Sequence, residues 1–145
     1  MVFIEEDKKT KTERSFKEHA VVTKNISGLI DKVLVERELD TDDALIRVGL
    51  DGGGGFLKVC MSIFDLLSSQ SKTSKCEKKI KNSGVKKVFI IGIAPGIPEN
   101  YINVRTLWRS IGLHQLSYNF TIATDLKLCN ILLGLMTHSS MHPCC

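Results

Sequence analysis

Between residues 25 and 40 the apolar side chains fall three and four positions apart, at Ile26, Leu29, Ile30, Val33 and Leu34. That spacing places them on one face of a helix, and Asn25 or Ser27 can cap its start. The period then changes. LIRVGL (45–50) and FLKVCMSIF (56–64) are β-rich runs on either side of DGGGG (51–55), which predicts a hairpin. VKKVFIIGIAP (85–95) predicts a third strand, ended by Pro95. ENYINVRTLWRSIGL (99–113) returns to helical spacing, with Ile102, Leu107, Trp108 and Ile111 broadly on one side and Gly112 as a stop signal. LSYNFTIATD (116–125) predicts a strand, and LKLCNILLGLM (126–136) a helix with Leu128, Ile131, Leu132 and Leu135 at i, i+3, i+4 and i+7. A helix, a hairpin, then strand, helix, strand, helix predicts a mixed α/β sheet.

Outside these elements the chain is polar. Residues 1–24 mix acids and bases with few apolar positions and predict a charged, poorly ordered arm. Residues 25–44 are the first helix and a polar junction, and residues 45–145 form the main domain. Residues 65–84 are serine-rich. Lys72, Lys75, Lys78, Lys79, Lys81, Lys86 and Lys87 cluster around a single acid, Glu77. A solvated loop is the plain expectation for such a run; the alternative is contact with DNA phosphates. No aromatic residue interleaves the lysines, so base stacking is not expected there. Trp108 reads as a core anchor on its helix.

Composition narrows the class. The 145 residues are 43% hydrophobic and 25% charged, an ordinary globular balance, with a net charge of +4. That charge is too small to argue for nucleic acid by itself. Cys60, Cys76, Cys129, Cys144 and Cys145 are odd in number and irregularly spaced, unlike a secreted disulfide framework. The start MVFIEEDKK is acidic where a signal peptide is basic, and no apolar run is long enough for a membrane span. The expected compartment is therefore the nucleus or cytoplasm. The abrupt ending HSSMHPCC predicts a fragment of a longer protein.

The strongest chemical signal is VGLDGGGGFLKVC. Each glycine in such a position costs roughly 0.5–1 kcal/mol relative to alanine, so four in a row call for a compensating role. Close backbone approach to a phosphate or nucleic-acid strand is one. Asp51 closes an apolar strand, where a carboxylate can hold a hard divalent cation. In FTIATDLKLCN, Asp125 also follows an apolar strand, but an aspartate opening a helix is first of all an N-cap. If the two strands are neighbours, both carboxylates emerge at the same rim of the sheet. Two carboxylates held close raise each other's pKa, and a divalent cation relieves the repulsion, as in two-metal phosphoryl-transfer sites.

An aspartate on the first strand, an immediate hairpin, a third strand, a helix and a second aspartate after the fourth strand resemble the ribonuclease-H-like fold. More narrowly, VGLDGGGGFLKVC, VKKVFIIGIAPGIPENYINVRTLWRSIGL and FTIATDLKLCNILLGLMTHSSMHPCC resemble transposase-like proteins of animal mobile elements, of the DDE type. The resemblance covers about residues 45 to 145. It implies an incomplete ribonuclease-H-like mixed sheet preceded by a helix, and an ancestral two-metal phosphoryl transfer on DNA with Mg²⁺ or Mn²⁺. Asp51 matches the first catalytic acid and Asp125 the second. Cys144 matches the first cysteine of a C-x-x-C zinc pair, whose partner is missing because Cys145 is adjacent. The third catalytic acid is missing too, so the resemblance implies a relic without activity as it stands.

Three further expectations accompany this. His138, His142, Cys144 and Cys145 have metal-ligand chemistry, but Pro143 breaks the helix that would align them, and a frayed terminus is the plainer reading. GLDGGGGFLK also resembles the first phosphate-binding hairpin of the sugar-kinase, Hsp70 and actin superfamily, where Asp51 would act through Mg²⁺. A non-enzymatic interaction module is the third alternative. An incomplete sheet would leave an exposed edge, which predicts self-association.

Overall fold

In the computed structural model, residues 1–6, 12–65 and 88–133 are described. Strand β1 (Val2–Glu6) pairs antiparallel with β2 (Glu13–Lys17). A two-residue strand, β3 (Val21–Val22), leads to helix α1 (Ile26–Arg37). Then come β4 (Ala44–Asp51), β5 (Phe56–Asp65), β6 (Phe89–Pro95), helix α2 (Tyr101–Ile111), β7 (Phe120–Thr124) and helix α3 (Leu126–Leu133). The protein is mixed α/β. Its main sheet has the order β3-β6-β5-β4-β7, with β4–β7 parallel and the other pairs antiparallel.

The sequence signals explain where these elements start and stop. The Asn25 side chain accepts a hydrogen bond from the Gly28 N–H at 2.8 Å and caps α1. Asn100 does the same for α2, accepting from the Asn103 N–H at 2.9 Å. Gly112 ends α2 with φ +86°, a left-handed conformation that suits glycine. Ile26, Ile30, Val33 and Leu34 are buried on α1, as the spacing predicts.

One face of the sheet carries the core. Ile46, Val48 and Leu50 of β4 stand opposite Ile63, Met61 and Val59 of β5, and all six are buried. Helix α2 closes on this face through Leu107 and Ile111, which approach Gly92 of β6 so closely that a Cβ there would lie 2.5 Å from Ile111 Cδ1. The opposite face carries Arg47, Gly49, Lys58, Cys60 and Phe64, each partly or fully exposed. Arg47 lies over the Phe64 ring there, 5.2 Å from its centroid. Strands β3 and β7 form the edges of this sheet.

The structure differs from the sequence reading most at the start of the chain. Where a poorly ordered arm is expected, β1 and β2 form a hairpin whose Phe3 is fully buried and packs on Phe16. The lone buried asparagine of α2 holds it: Asn103 Oδ1 accepts from the Ile4 N–H at 2.7 Å, and its Nδ2 donates to the carbonyls of Ile4 (2.8 Å) and Pro98 (2.9 Å). The apolar face of α2 also differs in detail. Asn103 and Val104 are inside, whereas Ile102 is exposed and Trp108 is half-buried against Phe120.

Candidate functional site

Strand direction decides which residues meet. Strands β4 and β7 run parallel, so their C-terminal ends share one rim, and the antiparallel neighbours bring the start of β5 and the end of β6 to the same rim. The last register pair of β4 and β7 is Leu50 with Thr124. Asp51 and Asp125 each follow that pair by one residue. Adjacent strands lie about 4.8 Å apart, so the two aspartates, predicted separately from the sequence, arrive at neighbouring positions.

Each is engaged by a partner of its own. Asp51 Oδ1 accepts from the Gly53 N–H at 2.8 Å, and Oδ2 pairs with Lys58 Nζ at 3.2 Å, across the β4–β5 register. The Gly53 hydrogen bond, seconded by Lys58, lowers the Asp51 pKa below its ordinary value. The nearby Cys60 thiol is pushed up, first by burial and then by the Asp51 charge. Asp125 Oδ1 accepts from the Leu128 N–H at 2.7 Å, so it is the N-cap of α3. Asp125→Ala should therefore cost about 1 kcal/mol in a denaturant titration, while Asp125→Asn, an equally good cap, should cost close to nothing.

The glycine run has a local explanation. Gly54 and Gly55 take positive φ, 69° and 76°. The Gly55 carbonyl accepts from the Gly96 N–H at 2.8 Å, tying the turn to the end of β6. Gly52 leaves the space that Glu99 occupies: a Cβ on it would stand 2.5 Å from both Cδ and Oε1 of Glu99, so that side chain would have to move aside.

Glu99 is the residue that sequence reasoning passes over. It sits in the turn between β6 and α2, at the same rim, one position before the N-cap Asn100. The cap position is thus already taken, yet the Glu99 side chain is only 8% exposed. Its Oε2 is ion-paired with Lys127, in the first turn of α3. Its Oε1 is buried with no hydrogen-bond partner. The only other such atom among the described residues is Thr124 Oγ1, immediately before Asp125. The signal that would have found Glu99 is the one that found Asp125: an acid in a strand-to-helix turn at the rim.

The rim therefore offers oxygen donors from Asp51, Glu99, Thr124 and Asp125. This is the donor type that suits Mg²⁺ or Mn²⁺, and the orphaned Glu99 Oε1 fits a cation in kind. As they stand, no three His, Cys, Asp or Glu side chains among the described residues are grouped to hold a metal ion. The lysines at 72, 75, 78, 79, 81, 86 and 87, and His138, His142, Cys144 and Cys145, lie outside the described residues. Among the described residues no helix is long and apolar enough to cross a membrane. Comparison with protein-family models, curated proteins and solved structures yields no match for this chain.

Proposed function

We infer that the chain is a ribonuclease-H-like core of transposase type, whose Asp51–Asp125 rim binds a divalent cation, and that it carries out no phosphoryl transfer by itself. The observation that carries this reading is the shared rim: both aspartates stand one residue beyond Leu50 and Thr124, the last pair of two parallel neighbouring strands. The strand sequence supports it as well. Three antiparallel strands, a helix, and a fourth strand parallel to the first of the three follow the order expected from the resemblance. Asp51 and Asp125 would supply the charge that draws the cation, and the DNA phosphate would be its second partner. The resemblance matches two of its three catalytic acids to residues of this chain, Asp51 and Asp125, so the reading extends to cation binding and assigns no turnover.

The test is a melting experiment with Mn²⁺. At about ten times the dissociation constant, linkage gives roughly 1.4 kcal/mol, or a rise of about 3–5 °C for a chain of this size. Asp51→Asn and Asp125→Asn should each abolish the rise without lowering the melting temperature in chelator by more than about 2 °C. No rise at any Mn²⁺ concentration sinks the reading. A rise with ATP–Mg²⁺ and none with Mn²⁺ alone favours the second reading, a nucleotide-phosphate hairpin. That reading draws on the glycine turn, whose Gly54 and Gly55 have open space where a Cβ would stand.

A further inference from the structure

Lys127 points to a control on this rim. Burying a carboxylate is costly unless both oxygens are satisfied. Glu99 is nine-tenths buried and half satisfied: Lys127 holds Oε2, while Oε1 faces the Gly52 backbone next to Asp51 with no partner. Lys58 holds Asp51 in the same way. The rim thus carries two ammonium groups on two of its three carboxylates. Lys127 itself is 62% exposed, so water can take up its ammonium group, but its departure alone would leave a buried carboxylate unpaired, a cost that an incoming cation would offset.

We propose that Lys127 is a resident counterion that competes with divalent cations for the Glu99 carboxylate, making Glu99 a third, gated oxygen ligand of the rim. The cation is Mn²⁺ or Mg²⁺, since every donor is a hard oxygen. The proposal rests on the rim being a cation site, but it assigns to Glu99 and Lys127 roles that the aspartate pair does not require. A unit positive charge a few ångströms from the incoming cation opposes it strongly even with partial solvent screening. Removing that charge frees Glu99 Oε2 and makes the rim one unit more negative, with Lys58 still paired to Asp51.

The experiment is a Mn²⁺ titration of the full chain, read by thermal melting and by the paramagnetic signal of free Mn²⁺. Lys127→Met should lower the Mn²⁺ midpoint by at least about tenfold relative to the starting protein. Lys127→Arg, which keeps the charge, should leave it unchanged. Adding Glu99→Gln to Lys127→Met should remove the gain. Lys32→Met removes the same charge from the exposed Lys32–Glu36 pair on α1 and should change nothing. Should Lys127→Met fail to fold, Lys127→Gln keeps a hydrogen-bond donor for Glu99 and serves in its place. An unchanged midpoint in both Lys127→Met and Lys127→Gln overturns the proposal. So does a gain that survives Glu99→Gln or is matched by Lys32→Met. The two readings separate cleanly. Binding that needs Asp51 and Asp125 but ignores Lys127 removes only this inference. A Glu99-dependent gain that ignores both aspartates removes only the aspartate-pair reading.

Discussion

Asn103→Ala is expected to destabilise the protein by about 3 kcal/mol, near the upper end for loss of a buried polar anchor. The side chain is fully buried and makes three hydrogen bonds to main chain: Ile4 N–H, Ile4 C=O and Pro98 C=O. Alanine leaves the Ile4 N–H without its side-chain partner. Both carbonyls keep one, because the Asn100 N–H also donates to Pro98 C=O at 3.1 Å and Asn100 Nδ2 to Ile4 C=O at 2.9 Å. The consequence is local as well as global. The β1–β2 hairpin contributes Phe3 to the core, but its other positions are mostly charged or polar. Without the asparagine clamp, it should detach before the main sheet unfolds. Amide exchange at Ile4 would then accelerate more than exchange at Val48 or Met61, in the middle of β4 and β5. Equal acceleration at all three, or a loss below about 1 kcal/mol in urea, would show that the clamp is not what docks the hairpin.

That hairpin also shows where the sequence stops being legible. The main sheet could be read because its information is local. LIRVGL and FLKVCMSIF each alternate, so Val48 and Met61 declare their inward face without reference to anything distant. Asn25 and Gly112 announce helix ends by the same local rules. The hairpin has no such pattern. Its register depends on the Phe3–Phe16 pair, and its docking on an amide 99 positions away in sequence. A segment of mixed charge is disordered by composition until a partner is supplied, and here the partner is tertiary. The rim divides in the same way. Asp51 and Asp125 are visible because each closes an apolar strand. Glu99 shares the strand-to-helix position that marks Asp125, but its burial against Gly52 is tertiary, and the run of four glycines does not say which of them adjoins a carboxylate.

Leu107→Ala should bring the largest loss of stability, about 3–5 kcal/mol, since deleting a buried leucine removes its transfer energy and leaves a cavity. Leu107 is fully buried where α2 crosses the sheet, its Cδ1 3.5 Å from the position a Gly92 Cβ would take. The helix lies this low because Gly92 offers no side chain, so there is little slack for neighbours to collapse into the void. With a denaturant slope of about 1–3 kcal/mol/M in urea, the midpoint should fall by at least about 1 M. Trp108→Ala is the informative comparison. Trp108 is larger, but it is half-buried against Phe120 at the β7 edge, where water can enter the space it vacates. It should therefore cost less than Leu107→Ala, despite removing more atoms. If the order is reversed, the anchor of α2 lies at the edge of the sheet beside β7 and α3. The rim would then depend on that edge for its shape, because α2 carries Asn100 and the turn that presents Glu99.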